Sequence, residues 1–210
     1  NSIFQSLLNI FRLMRLLTYN NAQVEHLIFL KGTSPASMSD DHVIFSNHKP
    51  IVEYLSMNEI HKLENLINTF RTQFQNKNLR VIRSLLFWDL SSNMGPFERR
   101  LTETFISLES LFTTTDNYIT KKLTNRSAWF IEGDNRVKRD KTKNKLKKIY
   151  ELRGYVVHGQ SFVESRDIKK YYYLHKKIRY IILRILTKKY LLNIFTKNKT
   201  ELNNHLVKLG

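Results

Sequence analysis

The chemistry in this chain is concentrated in one decapeptide, Tyr150-Glu151-Leu152-Arg153-Gly154-Tyr155-Val156-Val157-His158-Gly159. Histidine changes charge near neutral pH, so it can take or give a proton during a reaction. Arginine presents a planar fork of N–H donors that fits the non-bridging oxygens of a phosphate. The spacing limits how the two can share a site. Five residues on an unbroken helix turn through about 500°, which leaves Arg153 and His158 roughly 140° apart. Either the helix opens at Gly154 or two chains contribute to one site. Gly159 predicts a helix end just after His158, where the dipole favours a positive charge.

This pair lies in the basic part of the chain. The 210 residues carry a net charge of +17. Residues 121–200 hold 23 Lys and Arg against 6 Asp and Glu, while the remainder holds 12 of each. One segment therefore carries the whole imbalance, the pattern of a face that meets a polyanion, with nucleic acid ahead of an anionic membrane. Lys147, Lys148, Lys169 and Lys170 are the expected phosphate contacts. Tyr172, within Tyr171-Tyr172-Tyr173, is the expected base-stacking ring. At that spacing one of the three tyrosines must face the core.

Composition excludes several classes. There is no Cys, so a disulfide scaffold, a thiolate zinc site and a cysteine nucleophile are ruled out. Absence of Cys also fits a reducing, cytoplasmic setting, and high Asn, Lys and Ile usage points to an AT-rich bacterial genome. His26, His42, His48, His61, His175 and His205 show no metal-ligand spacing, and Asp40-Asp41-His42 reads as turn chemistry, so neither a metal nor a cofactor is expected. No apolar run is long enough to form a transmembrane helix. The start, Asn1-Ser2-Ile3-Phe4, has neither an initiator Met nor a signal-peptide layout, which predicts a natural chain extending upstream.

Only 3 Pro and 6 Gly argue for long regular elements. Residues 1–57 form an N-terminal segment with a helical stripe through residue 18. Short strands are expected at 22–30 and at Val43-Ile44-Phe45, with a Ser-rich loop over 32–41 between them. From Asn58, an expected N-cap, apolar residues recur at helical spacing. Helices are expected over Leu63–Phe74, Leu79–Leu90, from Pro96 to Phe112, from a Thr115 or Asp116 cap to Gly133, over Leu146–Val157, and from about Ser165 to Phe195. Asp134–Lys145 is an exposed loop or a solvated helix start. This predicts an all-α bundle over 58–198, a small irregular or mixed N-terminal part, and a tail over 199–210.

The R-x4-H spacing resembles the motif of HEPN domains, and the wider pattern is similar to the Apea-like HEPN family. Three blocks carry the resemblance: Leu108-Glu109-Ser110-Leu111-Phe112, Leu123-Thr124-Asn125-Arg126-Ser127-Ala128, and Ile149-Tyr150-Glu151-Leu152-Arg153 leading to Val157-His158-Gly159. It covers about residues 58–195. The resemblance implies a HEPN-like helical bundle that forms a homodimer, bringing two motifs together. It also implies a metal-independent ribonuclease of toxin or phage-defence type, acting on tRNA or mRNA and controlled by an antitoxin or a fused sensor domain. Arg153 and His158 would be catalytic. Glu109 and Arg126 would form a buried pair supporting helix packing or the dimer, with Tyr150 beside them.

RNA suits such a site because its 2′-hydroxyl is an internal nucleophile beside the scissile phosphate. Attack would leave a 2′,3′-cyclic phosphate and needs no metal. One position departs from the family pattern. Active members often carry a polar residue such as Asn directly after the Arg, and here Gly154 stands there. That keeps a second reading open, an inactive HEPN module that binds RNA or a partner. A third is a structural dimerisation domain whose charge serves solubility.

Overall fold

The computed structural model describes residues 9–10, 12–17, 29–31, 34–36, 57–75, 79–92, 96–114, 118–159 and 165–207. The expected strand at Val43-Ile44-Phe45 and the Thr115 or Asp116 cap lie outside these residues. The chain divides into two compact units, Asn1–Glu64 and Asn65–Gly210. In the first, residues 12–17 are helical (α1) and bury Leu13 and Leu16. Strands β1 (Phe29–Lys31) and β2 (Ser34–Ala36) pair antiparallel, with Leu30 opposite Pro35. β2 thus occupies part of the expected Ser-rich loop. Pro35, lacking an N–H, is tolerated because this two-stranded ribbon consists only of edges.

Helix α2 (Met57–Gln75) runs across the boundary between the units and buries Leu63, Leu66 and Phe70 at helical spacing. The second unit holds α3 (Leu79–Leu90), α4 (Phe97–Phe112), α5 (Ile119–Glu132), α6 (Arg136–Val157), α7 (Ser165–Thr187), α8 (Lys189–Phe195) and α9 (Lys199–Val207). The described chain is mostly helical. Helix α3 pairs with α4 and α5 with α6, while α7 packs against all four. Leu101, Phe105, Leu108 and Phe112 form the buried stripe of α4, and Leu174, Ile178, Ile181 and Ile185 that of α7. The rings of Phe112, Phe130 and Phe195 meet at 5.6–5.9 Å and join α4, α5 and α8.

Helix C-termini in this unit are closed by side chains from neighbouring helices. A helix leaves its last carbonyls without intrahelical donors, and its dipole makes that end negative. At the end of α4, Arg80 of α3 donates to the Ser110 and Thr113 carbonyls at 3.3 and 3.0 Å, and Arg126 of α5 donates to the Phe112 carbonyl at 2.6 Å. At the end of α5, Arg184 of α7 donates to the Phe130 carbonyl at 2.6 Å. At the end of α3, the Ser91 carbonyl accepts from Arg100 and from the Tyr171 hydroxyl. Some of the arginine that makes the chain basic therefore does internal work.

Three boundaries differ from the sequence expectation, the first being the start of α2, which begins at Met57 and so takes Asn58, the expected N-cap, into the helix. The long C-terminal helix breaks at Lys188, whose extended backbone (φ −114°, ψ 103°) separates α7 from α8. The expected tail over 199–210 is helical over Lys199–Val207, with Asn198 accepting from the Glu201 N–H at 2.9 Å. Leu202 and Leu206 are fully buried, so α9 is a packed element of the second unit. Asp134–Lys145 resolves as a solvated helix start: Asn135 caps α6 by accepting from the Lys138 N–H at 3.0 Å. Gly133 and Gly159, both at positive φ, end α5 and α6 as expected.

A buried polar cluster sits between α3 and α7. His175 stacks on Trp88 with centroids 4.9 Å apart, and its Nε2 lies 2.9 Å from Ser92 Oγ. Burial, with the charges of Arg100 and Arg179, lowers the His175 pKa to about 4, against the opposing Trp88 carbonyl. A base depressed on folding stabilises the fold fully above its unfolded value and loses that contribution as pH falls towards the folded one. Stability should therefore drop between pH ~6.5 and ~4 by up to about 3 kcal/mol from this residue. Urea unfolding at pH 7 and 4.5 checks this, and His175→Gln should flatten the difference.

Candidate active site

Arg153 lies in the last two turns of α6, and the fold places it beside Glu109 of α4 and Tyr150 of its own helix. The Tyr150 hydroxyl donates to Glu109 Oε1 at 3.4 Å, and its ring meets Phe105 edge-on at 5.0 Å. The Arg153 guanidinium lies over the Tyr150 ring, 5.6 Å from its centroid. Burial raises the Glu109 pKa, while the Arg153 charge and the Tyr150 hydrogen bond oppose the rise. Tyr150 is likewise raised, by burial first and then by the Glu109 charge. Arg153 feels Glu109 but forms no ion pair among the described residues, and its Nε is buried with no hydrogen-bond partner.

His158 is the C-cap residue of α6. Its N–H donates to the Gly154 carbonyl at 3.1 Å, and Gly159, at φ +65°, donates to Val156. The helix is therefore closed through Gly154, which removes the first of the two routes to a shared site. Within one chain the Arg153 guanidinium lies over Tyr150 and near Glu109, whereas His158 is exposed at the helix end. Tyr155 and Val157 flank it and stand 55% and 51% exposed. A Cβ on Gly154 would meet nothing within 4 Å, so the polar residue missing there leaves open space.

The expected Glu109–Arg126 pair does not form. Glu109 faces Tyr150 and Arg153, whereas Arg126, 3% exposed, donates to Phe112, to Thr114 Oγ1 at 3.2 Å and to Asn203 Oδ1 at 3.0 Å. Arg126 is a structural residue whose partners include α9. The block containing it identified its importance but not its partner, because Asn203 lies in the segment expected to be a tail.

The expected RNA-binding residues separate into two groups. Lys148 and Lys169 are exposed and make no ion pair among the described residues. Lys147 lies 3.8 Å from Glu151, and Lys170 lies 2.7 Å from buried Asp167. Tyr171 is the core member of the tyrosine triplet, and Tyr172 is exposed with Arg100 5.9 Å from its ring. The ring that lysines engage is Tyr173, with Lys145 Nζ at 3.4 Å and Lys177 Nζ at 5.6 Å. Among the described residues no helix is long and apolar enough to cross a membrane.

No protein-family model, curated protein or solved structure matches this chain.

Proposed function

We propose that this chain is a metal-independent endoribonuclease of HEPN type, acting as a toxin or phage-defence effector on tRNA or mRNA. The carrying observation is Arg153, whose guanidinium has a buried, unbonded Nε and no ion-pair partner among the described residues, beside a half-buried carboxyl. With no hydrogen bond or ion pair to the guanidinium among the described residues, its terminal N–H groups are left for a phosphate. Glu109 and Tyr150 position it without neutralising it through a direct ion pair.

In this account the site is shared by two copies. Because α6 stays closed, the His158 that meets Arg153 comes from a second chain, with exposed Tyr155 and Val157 as apolar surface for the contact. One proton leaves the 2′-hydroxyl, its oxygen attacks phosphorus, and the 5′-oxygen departs with a proton. His158 carries a proton in this exchange, and Arg153 holds the charge that builds on the phosphorane. The products are a 2′,3′-cyclic phosphate and a 5′-hydroxyl.

Digestion of tRNA and single-stranded RNA in EDTA, followed by analysis of the product ends, tests this reading. Cyclic-phosphate ends support it, and intact RNA across a range of enzyme loadings overturns it. The open space at Gly154 favours one alternative, a catalytically inactive module that binds RNA or forms dimers. Salt-sensitive RNA binding without cleavage selects that alternative.

A further inference from the structure

A cationic concavity lies away from Arg153, where α5 ends and α6 begins. Its volume is about 200 Å³, and its walls are Asn125, Ala128 and Trp129 from α5 and Arg136, Arg139, Asp140 and Lys143 from α6. Arg136, Arg139 and Lys143 recur at intervals of three and four, so they share one face of α6. None of the three side chains forms an ion pair or hydrogen bond among the described residues, in contrast to those of Arg80, Arg100, Arg126 and Arg184, which are spent on carbonyls. Three cations therefore face one carboxylate around a half-exposed indole.

We propose that this groove holds a single-stranded RNA segment, with phosphates on Arg136, Arg139 and Lys143 and a base against Trp129. The argument is charge complementarity together with an aromatic face, the two components of sequence-tolerant single-strand binding. The volume is smaller than the ~300–1,000 Å³ of pockets that enclose a whole small molecule. A groove of this size fits part of an extended ligand. The proposal rests on the ribonuclease reading only in naming RNA as the strand, to which it adds a holding point remote from the cleaved bond.

The chain has 2 Trp, and Trp88 is 1% exposed, so quenching by an added ligand reports Trp129. The probe is a 2′-O-methylated oligouridine, which binds but has no free 2′-hydroxyl to cleave. Saturable quenching is expected, weakening tenfold or more in Arg139→Gln/Lys143→Gln. The slope of log affinity against log salt should fall by about 1.4 for two lost phosphate contacts. Circular dichroism confirms that the variant is folded. Oligouridine binding without quenching, unchanged affinity in the variant, or equal affinity for polyglutamate overturns the groove. If wild type quenches but leaves unmodified RNA intact, the groove stands and the ribonuclease reading fails. If it cleaves RNA without quenching, the groove alone fails.

Discussion

If the chain is the ribonuclease proposed, His158→Ala should lower the rate of RNA cleavage by about 10²–10⁴-fold, the range expected when a general acid–base group is deleted. Arg153→Ala lowers it by about 10²–10³-fold through loss of charge stabilisation at the phosphorane. The two variants differ in their side effects. His158 is exposed and holds its helix end through its backbone, so the fold is indifferent to its side chain and stability shifts by no more than ~0.5 kcal/mol. Arg153 lies near Glu109, whose carboxyl loses an opposing charge in the variant and becomes easier to protonate. RNA affinity survives in His158→Ala and falls in Arg153→Ala. Single-turnover cleavage at saturating enzyme, measured beside binding, separates the two contributions.

Arg126→Ala destabilises the second unit by about 2–4 kcal/mol, the cost of unpairing buried neutral acceptors and leaving a cavity. The guanidinium joins the Phe112 carbonyl, Thr114 Oγ1 and Asn203 Oδ1, and Thr114 Oγ1 also donates to Asn203 at 2.6 Å. Without it, the Phe112 carbonyl at the negative end of α4 loses a charged donor, and a cavity opens where a 3%-exposed side chain stood. The loss should be concentrated at α9. Hydrogen exchange should show Lys199–Val207 losing protection before α5 and α6, and urea unfolding gives the total. Asn203→Ala should reproduce part of the effect, because it removes one acceptor and leaves Arg126 of α5 bonded to the Phe112 carbonyl at the end of α4.

The helices most legible in the sequence were those whose stripes are bounded by a strong stop. Gly133 and Gly159 end α5 and α6 at positive φ, a conformation glycine adopts without the steric penalty of a Cβ. The break at Lys188 was not legible, since Thr187-Lys188-Lys189 contains no Gly or Pro and apolar residues continue beyond it. What marks it is a slip in spacing, from Leu186 to Leu191, as α8 turns to bury Leu191, Leu192 and Phe195. Helix α9 did carry a local cue, Asn198 with Glu201 three residues on, but its short stripe of Leu202 and Leu206 is weak beside its polar residues.

At the site, the blocks of residues contain Glu109, Tyr150 and Arg153, which the fold brings together, but do not reveal that Arg126 answers to Asn203. The groove was missed because Asp134–Lys145 has too few apolar residues to show which side faces inward. Its cue was the spacing of Arg136, Arg139 and Lys143 shortly after Trp129. Likewise, the choice of Tyr172 over Tyr173 as the lysine-flanked ring depends on which turn of α6 faces α7, which spacing within α7 alone does not show.

In the proposed dimer, Arg153 of one copy works with His158 of another. Complementation between two inactive variants tests it most directly. Arg153→Ala and His158→Ala are mixed in equal amounts under conditions that exchange subunits, and RNA cleavage is compared with wild type. Half the dimers are then mixed, each with one complete site of two, so activity should return to about a quarter of wild type for a symmetric dimer. A mixture with demonstrated subunit exchange that stays as inactive as its components would contradict the shared site.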